Sequence, residues 1–191
     1  MKKKKDSKKA ICDAAIKLAG KSAWSTITLS QIAKEAKISL PKLKALYFET
    51  SDILPDIISQ TDKKVSALAN IDFQNNSHDR LFEIFMTRFE ILQKNRKSVL
   101  SIGNACKNDP KLLRIVFKSH FESMKKTLEL AKLIEPGIIG ITQILCICAV
   151  YQFTTYHWME DNSKDLSKTM AVLDNSLNKA QIVGSLLSYA Q

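Results

Sequence analysis

The chain has 191 residues, enough for one domain with a sizeable core or for a small domain joined to a larger one. Its 45% hydrophobic and 25% charged content is that of a folded soluble protein and excludes disorder of the whole chain. The net charge of +10 is unevenly placed: residues 1 to 50 hold 12 Lys against 4 Asp or Glu, while the remaining 141 hold 17 basic and 15 acidic side chains. A basic N-terminal block suits a polyanionic partner, either nucleic acid or an anionic membrane surface. Read alone, the run KKKK at 2 to 5 is also consistent with a solubilising tail.

Glycine and proline are scarce, 5 and 4 in all, and no run alternates long enough for strands, so the chain reads as all-α with about nine helices. Ile11, Ala14, Ala15, Leu18 and Ala19 follow the helical period and predict a first helix over 8–21. Thr28 stands at an N-cap position before Leu29, Ile32, Ala33 and Ala36, which predicts a short second helix over 29–36. Ser39 is the next N-cap candidate, with Pro41 in the first turn of a third short helix over 40–47, where a missing N–H costs nothing. A fourth helix begins near Ser51 and carries Ile53, Leu54, Ile57, Ile58, Val65 and Leu68.

The polar stretch FQNNSHD at 73–79 marks a change of subdomain. The resulting division is 1–50, 51–72 as a connecting helix, and 73–191. Further helices are predicted over 79–94, 96–107, 110–132, 137–160 and 164–188. The stretch 137–156 has no charged residue and is long enough to cross a bilayer. Its Gln and Thr residues and two glycines favour a helix buried within protein.

Two short helices separated by about four residues, the second bearing lysines, form a helix-turn-helix pattern. A short exposed helix fits the major groove, with base edges near its N-terminus and phosphates along its flanks. Lys42 and Lys44 are the exposed cationic candidates. Thr28, Ser30 and Ser39 can donate hydroxyl or backbone N–H bonds to phosphate, while Leu40, Leu43 and Leu46 face inward. An ordinary helical hairpin with solvated lysines has the same spacing.

The segment from Ile11 to Leu54 resembles the DNA-binding region of TetR/AcrR-type transcriptional regulators. The matching positions are Ile11 to Ala15, Thr28 to Ala33, Ser39 to Leu46, Tyr47, and Ile53 with Leu54, without gaps over about 45 residues. The resemblance implies a TetR-like fold, with an N-terminal three-helix unit and a C-terminal helical ligand-binding and dimerisation domain. It implies a DNA-binding set of Thr28, Ser30, Lys37, Ser39, Lys42, Lys44 and Tyr47. The chain departs from the pattern at Lys37, where a turn glycine is usual, at Pro41, where a small residue is usual, and at Lys44, which replaces a phosphate-binding Tyr.

The C-terminal half carries a second resemblance. The stretches 79–92 and 158–180 look like TetR-like C-terminal domains, and the second is similar to TetR-fold lipid-binding accessory proteins of ubiquinone biosynthesis. Its Trp158, Asp161, Ser163, Asp165, Thr169 and Leu173-Asp174 carry that likeness. The alternative function is therefore isoprenoid or lipid binding without DNA, with peripheral contact of the basic N-terminus to a membrane.

Leu166, Met170, Leu173, Leu177, Ala180, Gly184 and Leu187 recur at helix-packing spacings, and the resemblance makes this seam a homodimer face. Packing on its own domain is the alternative. The resemblance likewise implies a cavity for a small apolar or lipid-like effector, lined by Phe85, Phe89, Cys106, Phe117, Phe121, Met124, Tyr151, Tyr156 and Trp158. Taken singly, each of these residues reads more readily as plain core than as a ligand contact.

Catalysis is not expected. His78, His120 and His157 are scattered, and no Gly-rich phosphate loop, paired carboxylate cluster or nucleophile-base motif is present. Cys12, Cys106, Cys146 and Cys148 show no CxxC spacing, so neither a metal site nor a disulfide framework is expected, and no cofactor is implied. The N-terminus has no signal-peptide pattern, so a reduced cytoplasm is expected. The TetR-type resemblance implies a double-stranded DNA operator as the partner.

Overall fold

The computed structural model describes residues 2–163 and 165–188, with side chains described for 6–163 and 165–180. Among these residues there are nine α-helices and no strands. They are α1 (Lys2–Ala19), α2 (Leu29–Glu35), α3 (Leu40–Lys44), α4 (Leu54–Leu68), α5 (Ser77–Gln93), α6 (Arg96–Asn108), α7 (Pro110–Leu130), α8 (Gly137–Glu160) and α9 (Ser167–Ser188). Single 3₁₀ turns at Trp24–Thr26 and Thr50–Ile53 lead into α2 and α4. The all-α expectation holds, with shifts at several helix limits. The first helix already begins at Lys2 and the fourth only at Leu54. The third helix stops at Lys44, and the last begins only at Ser167, because Leu166 before it takes the left-handed backbone region at φ 58°.

The helices divide into two compact units: residues up to Lys63 with Ile91–Ser119, and Lys64–Glu90 with the residues from His120 onward. In the first unit, Ile11, Cys12 and Ala15 of α1 form a core with Trp24, Ile32, Leu43, Tyr47, Ile53 and Leu54. Burial pushes the Cys12 thiol up to about 12, as suits an inert packing sulfur. Helix α6 closes this core against α1. The Ser98 hydroxyl donates to the Ile16 carbonyl at 2.7 Å, and the Ser101 hydroxyl donates to Ser22 O while accepting from Trp24 N–H at 2.9 Å.

In the second unit α8 packs along α9. Phe89 lies 5.9 Å from Tyr151 and 6.2 Å from Trp158, ring centre to ring centre, and Phe85 lies 6.0 Å from Tyr151. The start of α9 is anchored by buried Asp161, which accepts from Thr169 N–H at 2.8 Å and Thr169 Oγ1 at 2.7 Å, and also from Ser163. Burial by itself would push this carboxyl up. The hydrogen bonds from Ser163 and Thr169 outweigh it and hold the group well below the usual carboxylate range.

Helix α8 is not buried all round within the chain, contrary to the expectation from its composition. Ile144, Ile147, Tyr151, Thr154 and Trp158 are covered, but Ile138, Ile141, Leu145, Phe153 and Tyr156 are exposed. The α9 seam shows the reverse. Leu166, Leu173 and Leu177 are buried inside the chain and Met170 alone is exposed, so the first three are intramolecular packing positions and not a free dimer face. The same spacing serves both kinds of packing, and the neighbouring α8 claims it first. Gly184 and Leu187 lie outside the residues whose side chains are described.

Candidate nucleic-acid interface

The helix-turn-helix is built by local chemistry that the sequence spells out. Thr28 caps α2 reciprocally: its hydroxyl accepts from Gln31 N–H at 3.3 Å, and Gln31 Oε1 accepts from Thr28 N–H at 2.8 Å. The T-x-x-Q spacing is a capping box, a signal that would have placed this helix start without any family likeness. After α2 the chain reverses at Lys37, whose φ of 55° lies in the region glycine prefers. Ile38 N–H then reaches back to Ala33 O at 3.0 Å, closing the turn. Ser39 occupies the N-cap of α3 but makes no capping bond with its side chain, and Pro41 stands in the first turn.

Burial then separates scaffold from surface. Leu43 and Tyr47 are inside the unit core, with Leu40 and Leu46 packed at its edge. Thr28, Ser30, Lys37, Ser39, Lys42 and Lys44 are all exposed. Tyr47 does not share that surface: it is 4% exposed, and its hydroxyl donates to Asp56 Oδ2 at 2.5 Å. Tyr47 is therefore a core residue of the first unit and not the surface contact that the resemblance implies.

The electrostatics of this face favour an anion. Glu35 pairs with Lys17 of α1, and Glu49 with Lys111 of α7 at 2.8 Å. Both carboxyls are held below their usual range, chiefly by those lysine hydrogen bonds. The two acidic side chains flanking the turn and α3 are thus engaged by lysines outside them, so Lys37, Lys42 and Lys44 are left to set the local charge.

The proposed cavity-lining residues do not all come together. Phe85, Phe89, Met124, Tyr151 and Trp158 are buried in the second unit, with Phe121 half-buried there. Cys106 instead packs in the core of the first unit, because α6 turns that face toward α1. Phe117 belongs to the first unit and is half-exposed, and Tyr156 is 60% exposed on the open side of α8. The stretch that resembles lipid-binding proteins is engaged in folding contacts. Asp161, Ser163 and Thr169 form the α9 anchor, Asp165 accepts from Ser167 N–H at 3.2 Å, and Asp174 lies 3.2 Å from His78 Nε2.

No family model matches the sequence, and no curated protein does. Solved structures do. A TetR transcriptional regulator from Nitrosomonas europaea superposes with a TM-score of 0.72 at 19% identity, over 91% of this chain and 97% of that one. A TetR transcriptional regulator from Rhodococcus sp. RHA1 does so with a TM-score of 0.70 at 12% identity, over 93% and 97%. A dihydroxyacetone kinase operon activator, DhaS, is similar at a TM-score of 0.56 and 14% identity, over 94% and 97%. With its exposed helix-turn-helix and the nine helices among its described residues, the chain has the fold of the TetR-type transcriptional regulators.

Proposed function

We propose that this protein is a dimeric TetR-type regulator that binds double-stranded operator DNA in the cytoplasm and acts as a ligand-responsive repressor. The observation that carries the reading is the helix-turn-helix, where Lys37, Lys42, Lys44 and three hydroxyl residues are all exposed while the flanking acids are paired elsewhere. Residues up to about 50 serve as the DNA-binding part, 51–72 as the connecting helix, and the rest as the ligand-binding and dimerisation part. No catalytic step and no cofactor enter the mechanism.

The open face of α8 supports dimerisation. Ile138, Ile141, Leu145, Ala149, Phe153 and Tyr156 recur at intervals of three and four and are exposed, an apolar stripe of the kind that marks a protein interface. Two copies joined there carry two recognition helices, as a two-fold operator requires. The aromatic interior of the second unit suits a small apolar or lipid-like effector. Such an effector shifts DNA affinity only to the extent that it prefers one spacing of the recognition helices over another.

Fluorescence anisotropy against the DNA upstream of the protein's own reading frame tests this directly. Tight binding whose logarithm falls linearly with the logarithm of salt is expected. No binding even at low ionic strength would overturn the proposal.

A further inference from the structure

Phe48 is the most exposed large apolar side chain among the described residues, at 91%, and it stands four positions beyond Lys44. Its neighbour Tyr47 is turned into the core, so the backbone sends consecutive aromatic rings in opposite directions. The turn that carries Phe48 is well tied. Its own N–H and that of Glu49 both donate to Asp52 Oδ2 at 2.9 Å, Ser51 donates to Glu49, and Lys111 pairs with Glu49. An apolar ring held outward on such a frame costs little conformational entropy when it meets a partner, because the backbone beneath it is already ordered.

The exposed residues just before it in the chain indicate which partner. The helix-turn-helix that ends just before it presents Lys37, Lys42 and Lys44, which suit phosphate, and none of the three can read an apolar feature of a base. In the major groove the apolar feature is the thymine 5-methyl group, and a phenylalanine side chain is one of the groups that contacts it. We infer that Phe48 is a specificity residue that packs on a thymine methyl at the edge of each recognised half-site. This inference rests on the DNA-binding function proposed above.

The test uses the full-length protein and the duplex that it enriches from a random-sequence pool. Phe48→Ala should weaken binding to that duplex roughly fourfold per half-site, the value of one buried methyl-sized contact, and Phe48→Leu should retain most of the affinity. Replacing thymine by uracil one position at a time should reproduce the loss at one symmetric pair of positions. There the effects of the uracil and of Phe48→Ala should not add. Because Phe48 is exposed, the helical circular dichroism of both variants should match wild type. Wild-type affinity in Phe48→Ala, or a loss that couples to no thymine position, would overturn the inference while leaving DNA binding itself established. Failure of the pool to enrich any duplex would instead remove the function on which it rests.

Discussion

The Tyr47 hydroxyl donates to Asp56 Oδ2 at 2.5 Å, and the same oxygen receives Lys8 Nζ at 2.8 Å, so one carboxylate joins α1, the first turn of α4 and the core residue that follows α3. Burial would raise the Asp56 pKa, but the hydrogen bonds from Lys8 and Tyr47 outweigh it and leave the carboxyl below its usual value. Burial, and then the Asp56 hydrogen bond, drive the Tyr47 phenol upward. Replacing Asp56 with Ala should destabilise the protein by about 1–2 kcal/mol, because the buried Tyr47 hydroxyl loses its acceptor. A depressed folded pKa contributes stability that is present above the unfolded value of about 4 and is lost as pH falls through the folded value. Urea midpoints at pH 7 and in the acid range should therefore differ less in the variant than in wild type.

Lys37 holds φ 55° in the turn between α2 and α3. Lys37→Gly should raise unfolding stability by about 1 kcal/mol through relief of left-handed strain. The same change removes a cation from the proposed interface. Greater thermal stability with weaker DNA affinity is the expected pair of outcomes, read by calorimetry and anisotropy.

Lys42→Ala with Lys44→Ala should weaken binding across all sequences alike. If each lysine neutralises one phosphate, the slope of log K against log salt should fall by about 2 per subunit. An unchanged slope in the anisotropy titrations would place the contact surface elsewhere.

Two glycines near the start of α8 should respond differently. A Cβ at Gly140 would sit 1.9 Å from the Glu135 carbonyl oxygen, a backbone atom that cannot swing aside. Gly140→Ala should cost about 3 kcal/mol or more. Gly137 has φ 68° and open space around it, so Gly137→Ala should cost only about 1 kcal/mol of backbone strain. Thermal melts of the two variants should separate them clearly.

Leu145→Glu or Phe153→Glu places a charge in the exposed stripe of α8. If two copies meet there, sedimentation equilibrium should show a monomer where wild type is a dimer, with association weakened by about 2 kcal/mol or more. Helicity should be unchanged, since neither side chain is buried within the chain.

Much of the helix-turn-helix was legible because its signals are local. Thr28 and Gln31 lie within one helical turn, Pro41 sits in the first turn of α3, and the apolar period through Ile11, Ile32 and Leu43 needs no knowledge of the partner helix. Cys106 was misplaced because an apolar residue at helical spacing says that a face is buried without saying against which element. Phe48 was passed over for a related reason. Tyr47 and Phe48 are adjacent aromatics, and the folded structure, which takes Tyr47 into the core and bonds it to distant Asp56, decides which of them points outward.

The amino-acid sequence alone determined the all-α class, the order and approximate limits of the helices, and the basic face of α3, since each depends on neighbours a few residues apart. The tertiary structure decided what distant residues do to one another. It assigned α6 to the core with α1 through Ser98 and Ser101, and it buried Leu166, Leu173 and Leu177 within the chain. It left the other face of α8 open, because a helix that is apolar around its circumference has two faces to cover and α9 covers one.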